Sequence, residues 1–163
     1  MPLKRVYLSL GSNLGEREEN LRRALRALER EHIHVLAQSS IYETEPQGMV
    51  QQRWFLNLVV ECETRYFPLQ LLRVIERVQR ELGRERGAGA VRWGPRAIDI
   101  DILLFGNVIM ATPQLTIPHP RMLERRFVLE PLLEIAPELR HPGTRQALSK
   151  YLFKVAAQKM RKL

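Results

Sequence analysis

The chain has 163 residues, 45% of them hydrophobic and 27% charged, an ordinary globular composition that one domain spanning 1–163 satisfies. Its one cysteine, Cys62, excludes an internal disulfide and a cysteine zinc site, and no run approaches the roughly 18 to 20 apolar residues of a membrane span. The net charge of +8 points either to a polyanionic partner or to a solvated, salt-bridged surface, since the excess is spread along the chain.

Residues 4–10 read as a first strand, with a turn at Gly11-Ser12-Asn13-Leu14-Gly15. Asn13 and Glu16 have the spacing of a capping box. Leu21, Ala24, Leu25 and Leu28 fall at i, i+3, i+4 and i+7, which predicts an amphipathic helix over 15–30. Strand, glycine turn and helix in that order admit a phosphate site. The spacing matches neither Gly-x-Gly-x-x-Gly nor a P-loop, so a plain capped turn is the simpler reading. Residues 33–43 predict a second strand, broken by Thr44-Glu45-Pro46-Gln47-Gly48, with an exposed loop at 47–53. Trp54 to Glu63 predict a third strand. Phe55, Asn57 and Val59 share one face; Leu56, Leu58, Val60 and Cys62 share the other, where the thiol reads as buried and inert. Asn57 must find polar partners, either in a neighbouring loop or in a ligand whose ring packs on Phe55.

Pro68, the stripe Leu71, Ile75, Val78 and Leu82, and Gly83 beyond it predict a helix over 68–82. The segment Arg84 to Arg92 mixes Gly, Ala and Arg with no period and is expected to be a mobile loop. Arg84, Arg86, Arg92 and Arg96 bracket it with guanidinium forks suited to phosphate. The run 97–105 is very apolar except at Asp99 and Asp101. As a strand it places both carboxylates on one face and Ile98, Ile100, Ile102 and Leu104 on the other. Two neighbouring acids need a cation, either arginine or a divalent metal, and hard oxygens suit magnesium shared with substrate phosphates. A basic loop leading into an acidic pair has the form of a lid over a metal–phosphate site.

A turn at Gly106-Asn107 and a short strand at 108–110 follow. His119 sits in the extended, Pro-framed segment 115–120; composition alone makes it structural or exposed, a phosphate contact being the lesser reading. Arg121, Arg125 and Arg126 form a second basic cluster. A short helix is predicted over 127–135, with Pro131 near its start. A last helix, capped by Thr144, runs to about residue 159 with a frayed tail after it. His32, His34 and His141 lack metal-ligand spacing. The order β-α-β-β-α-β is the α+β, ferredoxin-like pattern: a mainly antiparallel sheet covered by helices, with a C-terminal helical extension. Some RNA-binding domains share this topology, and a nonenzymatic RNA-binding domain is the competing reading. The aromatic signature of such domains is absent, and paired aspartates repel phosphate unless a metal intervenes.

Six blocks carry a resemblance: Tyr7 to Gly15 (YLSLGSNLG), Ser39 to Gly48 (SSIYETEPQG), Phe55-Leu56-Asn57, Leu82-Gly83-Arg84 through Arg92-Trp93-Gly94-Pro95-Arg96, Ile98 to Asp101 (IDID), and Leu115 to His119 followed by Arg125-Arg126-Phe127. On these the chain resembles the 6-hydroxymethyl-7,8-dihydropterin pyrophosphokinases of folate biosynthesis. The resemblance implies transfer of pyrophosphate from ATP to the pterin hydroxymethyl group, with AMP released. Asp99 and Asp101 would hold two magnesium ions. Phe55 and Phe127 would sandwich the pterin, and Asn57 would bond its edge, helped by Thr44, Pro46, Gln47 and Gly48. Arg84, Arg86, Arg92 and Arg96 would grip the phosphates, Arg84 and Arg96 assisting the transfer. Leu72, Glu76, Gln79, Trp93, Ile102, Thr116, His119 and Arg125 would form the rest of the ATP site. Gln79 stands where many members carry Glu. ATP and the pterin are the expected partners, with no nucleic acid or membrane, in a monomeric cytoplasmic enzyme.

Overall fold

The computed structural model describes residues 2–48, 51–83 and 97–163. Arg84, Arg86, Arg92, Trp93 and Arg96, and the lid expected of their segment, lie outside the described residues.

Strand β1 (Lys4–Ser12) alternates Val6, Leu8 and Leu10 against Tyr7, Ser9 and Gly11, so its two faces differ in size as well as polarity. Helix α1 (Arg17–Arg30) buries Leu21, Ala24, Ala27 and Leu28, as its stripe requires. The capping box does not form. Asn13 is buried and its Nδ2 donates to Gln52 Oε1 and to the Arg53 carbonyl, tying the end of β1 to the loop ahead of the third long strand. The expected second strand splits into β2 (His34–Gln38) and β3 (Tyr42–Thr44). Buried Ser39 causes the break: its Oγ accepts from Val59 N and its own N–H donates to Val59 O. Strand β4 (Phe55–Thr64) and helix α2 (Pro68–Leu82) match expectation; Gln70 Oε1 accepts from Phe67 N and caps α2. Cys62 is fully buried and burial pushes its thiol up to about 12, an inert group as expected.

Strand β5 (Asp99–Phe105) lies at one edge of the sheet and pairs antiparallel with β1. The order from that edge is β5, β1, β4, with β2 and β3 both pairing β4. This is the split β-α-β arrangement, wholly antiparallel in its described pairs. The face rule for β5 holds only to Ile102. Tyr7 pairs with Leu104 and Leu8 with Ile102, so Leu103 is an inserted bulge residue. Past it the alternation slips, and Leu104 turns to the opposite side from Ile100 and Ile102.

The short strands β6 (Met110–Ala111) and β7 (Thr116–Ile117) pair with each other. Helix α3 (Arg126–Ile135) carries Pro131 in its interior rather than near its start. The long C-terminal helix does not form. Residues Leu148–Tyr151 make a 3-10 turn that runs into a single turn of helix, α4 (Leu152–Val155). In this segment only Leu148 and Val155 are buried and Phe153 is exposed, which gives little to propagate a longer helix. The tail is not frayed either: β8 (Met160–Lys162) pairs antiparallel with β3, and Arg161 Nε and Nη2 reach Glu43 Oε1 at 2.9 and 2.7 Å.

Two apolar layers sandwich the sheet. Val6, Leu8, Leu10, Leu58, Ile100 and Ile102 pack on α1 and α2. Tyr7, Val59, Leu103 and Leu104 pack on α3 and the C-terminal turns. No described helix is long and apolar enough to cross a membrane.

Candidate active site

The site lies on the α3 face, at the end of the sheet where that layer stops. In the strand register Asp99 pairs with Gly11, Gly11 with Asn57, and Asn57 with Tyr42. In the next row Asp101 pairs with Ser9, and Ser9 with Val59. Same-face neighbours along a strand are about 6.6 Å apart and adjacent strands about 4.8 Å. The two carboxylates therefore stand beside a shallow floor made by Ser9 and Gly11, with Asn57 about 10 Å across from Asp99. The cavity above this floor has a volume of about 250 Å³. Phe55 and Phe127 line it, together with Thr44 at the end of β3, Glu45 and Gln47 from the loop after it, and His119 and Arg125 from the chain ahead of α3.

Gly11 is required by close approach. A Cβ on it would lie 2.5 Å from Asn57 Oδ1 and 3.4 Å from the Phe55 ring. The Asn57 amide thus lies across the central strand, its Nδ2 donating to Thr44 Oγ1 at 2.5 Å. That orientation leaves Oδ1 facing the cavity as an acceptor. The hydrogen-bonded reading of Asn57 holds, and the residue also lines the cavity.

The bulge at Leu103 has a direct use. The Leu103 carbonyl accepts from His119 N at 2.9 Å, which hangs the 118–121 segment on β5 beside the aspartates. His119 Nδ1 accepts from Arg121 N at 3.1 Å, so in the neutral ring the proton sits on Nε2. Burial pushes the His119 pKa below its ordinary value; Asp101 opposes this, while Arg125 and Arg121 reinforce it. Neutral His119 is a hydrogen-bond donor rather than a cation. Arg125 supplies the positive charge. Its pKa is lowered by burial, with Asp101 pulling it back up, and it stays a cation at any physiological pH. Among the described residues its buried Nε has no hydrogen-bond partner, and its guanidinium lies 5.4 Å from the Phe127 ring centroid. A buried donor left over in a cation beside two acids suits an anionic ligand oxygen.

Of the residues the resemblance assigns to the pterin, Thr44, Gln47, Phe55, Asn57 and Phe127 line this cavity. Pro46 is buried in a smaller pocket of about 90 Å³ behind the same loop, and Gly48 (φ +86°) is exposed beyond it. Of those assigned to ATP, His119 and Arg125 share the cavity with the acids. The others gather around the edge strand. Gln79 Oε1 accepts from Ile100 N at 2.7 Å, satisfying an edge group of β5. Glu76 is exposed on α2, Leu72 packs against the α2-side core, Ile102 is buried in it, and Thr116 is half-buried in β7. Ser9, Gly11 and Glu45 also line the cavity without having been singled out in the sequence. Ser9 and Gly11 were readable, because they are the two small residues on the Tyr7 face of an otherwise bulky strand.

A split β-α-β domain with paired carboxylates at an aromatic-lined cavity has the form of an enzyme that passes a phosphate-bearing group to a flat acceptor. Comparison with known proteins agrees. The family model for 7,8-dihydro-6-hydroxymethylpterin-pyrophosphokinase matches residues 7–137. The chain is 48% identical to the 2-amino-4-hydroxy-6-hydroxymethyldihydropteridine pyrophosphokinase of Bacillus subtilis over 141 residues, 85% of this chain and 82% of that one. It is 43% identical to the folic acid synthesis protein fol1 of Schizosaccharomyces pombe over 159 residues, 97% of this chain and 21% of that longer one. Its fold matches the solved Plasmodium falciparum HPPK-DHPS wild type with a TM-score of 0.71 at 16% identity, covering 94% of this chain and 45% of that chain. The chain belongs to the 7,8-dihydro-6-hydroxymethylpterin-pyrophosphokinase family. It is an enzyme, a diphosphotransferase of folate biosynthesis.

Proposed function

We propose that this cavity is where ATP's pyrophosphoryl group passes to the hydroxymethyl group of 6-hydroxymethyl-7,8-dihydropterin, giving AMP and the pterin diphosphate. The register row Asp99–Gly11–Asn57 carries the reading. A flat bicycle with its edge on Asn57 Oδ1 and its faces against Phe55 and Phe127 extends toward the aspartates, which puts its hydroxymethyl end at the acids.

Magnesium fits the donors. Asp99 and Asp101 are half-buried on one face of β5, and among the described residues no group of three or more His, Cys, Asp or Glu could hold a metal alone. Substrate phosphates must complete such a site, which is how magnesium is usually held. When bound, two ions would neutralise phosphate charge and ease deprotonation of the acceptor hydroxyl. Arg125 Nε and neutral His119 Nε2–H donate to phosphate oxygens from beside the acids. By resemblance, Arg84, Arg86, Arg92 and Arg96 add to that grip, and Trp93 to the ATP site. Positioning and charge then carry the catalysis, and no covalent nucleophile is required. The family match does not favour the RNA-binding reading.

The test is AMP formation from ATP by the purified protein. We expect it to require both magnesium and the reduced pterin. Absence of AMP with all three present overturns the proposal.

A further inference from the structure

Two walls of the cavity, the loop after β3 and the start of α3, come from distant stretches of sequence, yet a third stretch holds both. Gln158 lies beyond the family match, which ends at residue 137. Its Oε1 accepts from Arg126 N at 2.8 Å, and its Nε2 donates to the Glu124 carbonyl at 2.7 Å. Its own carbonyl accepts from Arg126 Nη1 at 2.8 Å. These bonds fix the backbone on either side of Arg125 and immediately before Phe127. The Arg126 N–H is one of the unpaired donors at the start of α3, and no local side chain caps that helix. Gln158 serves as its cap from 32 residues away.

The same segment reaches the other wall. Gln47 Nε2 donates to Gln158 Oε1 at 3.5 Å, and Glu45 N donates to the Lys159 carbonyl at 3.1 Å. Glu45 and Gln47 both line the cavity, as do Arg125 and Phe127. From there the chain enters β8, which pairs with β3 and is fastened by the Arg161–Glu43 contact. A tail needed only to cover apolar surface would have no reason to place one amide between a cavity loop and a helix start. Val155 is the last residue buried in the core, so the conformation of 158–159 rests more on these hydrogen bonds than on core burial.

We infer that Gln158 is a positioning residue for the acceptor site: it sets the separation between the 44–48 loop and Phe127, and so governs affinity for the flat acceptor. It touches no reacting atom in this account. The inference rests on the cavity being the pterin site. The amide is needed at both ends. Glutamate keeps the acceptor for Arg126 N but replaces the donor to Glu124 O with a repelling oxygen, and alanine removes both.

The experiment measures KM for ATP and for the reduced pterin, pterin binding by fluorescence titration, and Tm, for the wild type, Gln158→Ala, Gln158→Glu and Lys162→Ala. Loss of the side-chain hydrogen bonds that organise the pocket is expected to raise the pterin KM and dissociation constant about tenfold in both Gln158 variants, with Tm little changed and a smaller rise in the ATP KM, which Arg125 serves. Lys162→Ala, at the exposed end of β8, is expected to match the wild type. Wild-type pterin affinity in both Gln158 variants overturns the inference. So does a parallel change in both KM values that simply follows a fall in Tm, because that is a structural role alone. A wild type that makes AMP but shows no Gln158 effect sinks only this inference; a wild type that neither binds pterin nor makes AMP sinks the functional reading beneath it.

Discussion

Single residues in this site owe their roles to the size and charge of what lies next to them. Gly11 is the clearest case, since its missing Cβ is the space the Asn57 amide occupies. Gly11→Ala is expected to push Asn57 aside and raise the pterin KM by about tenfold or more, while the central strand still forms, because alanine is tolerated in a strand. Steady-state kinetics with a melting curve check this; an unchanged KM would mean Asn57 does not face the acceptor. The aspartates differ in kind. Asp101→Asn keeps the shape and removes the charge, so kcat should fall by at least about a hundredfold if the carboxylate organises metal and phosphate. Retention of near-normal turnover would remove that role. The acid pair, Phe55 and Asn57 were legible in the sequence because strand periodicity alone sorts them by face. Arg125 and His119 were not readable in that way, since the hydrogen bond that brings His119 to the acids uses a bulge carbonyl.

At the scale of elements, the long strands and both long helices were legible, because each has a sustained hydrophobic period. The misreadings fall where a single polar contact outweighs periodicity. Ser39 interrupts β2–β3, Asn13 abandons its helix to bind the 52–53 loop, and Leu103 shifts the alternation of β5. The C-terminal segment was misread for a related reason. Its apolar spacing suits a helix, but pairing with β3 and the charge of Glu43 offer the tail a better set of partners. Glu43 joins three elements, accepting from Arg17 of α1 at 2.9 Å and from Arg161 of β8 at 2.7 Å. Those two arginines, Arg17 first, hold its carboxyl below the ordinary 4.5. A carboxyl lowered on folding stabilises the native state above its unfolded pKa and ceases to do so as pH falls through its folded value. Stability from this contact should therefore be complete at neutral pH and decline below about 4.5. Glu43→Gln should melt lower than the wild type at pH 7, and the gap should close as the pH is taken below 4. Parallel melting curves across that range would show that the contact contributes no charge-dependent stability.

Across the whole molecule, the sheet separates two jobs. The α1–α2 side is a continuous apolar layer that packs the fold, whereas the α3 side is apolar only until it gives way to the cavity. A defect should therefore read out differently on each side. Leu28 of α1 is fully buried in the α1–α2 layer, and Leu129 of α3, two residues after Phe127, is fully buried in the α3 layer. Truncating either to alanine should cost about 2–5 kcal/mol of stability through lost burial and the cavity left behind. For Leu28→Ala the loss should stop there: assayed well below its Tm, the variant should keep kcat and both KM values within about twofold, since packing relaxes locally. For Leu129→Ala the helix that carries Phe127 loses its seat, so a similar fall in Tm should come with a raised pterin KM and, through Arg125 at the same helix start, a smaller rise in ATP KM. Thermal melts and two-substrate kinetics on the pair decide the matter. Equal kinetic damage from both substitutions would mean that the sheet transmits strain between its faces, and that the acceptor cavity depends on the whole core rather than on the α3 layer alone.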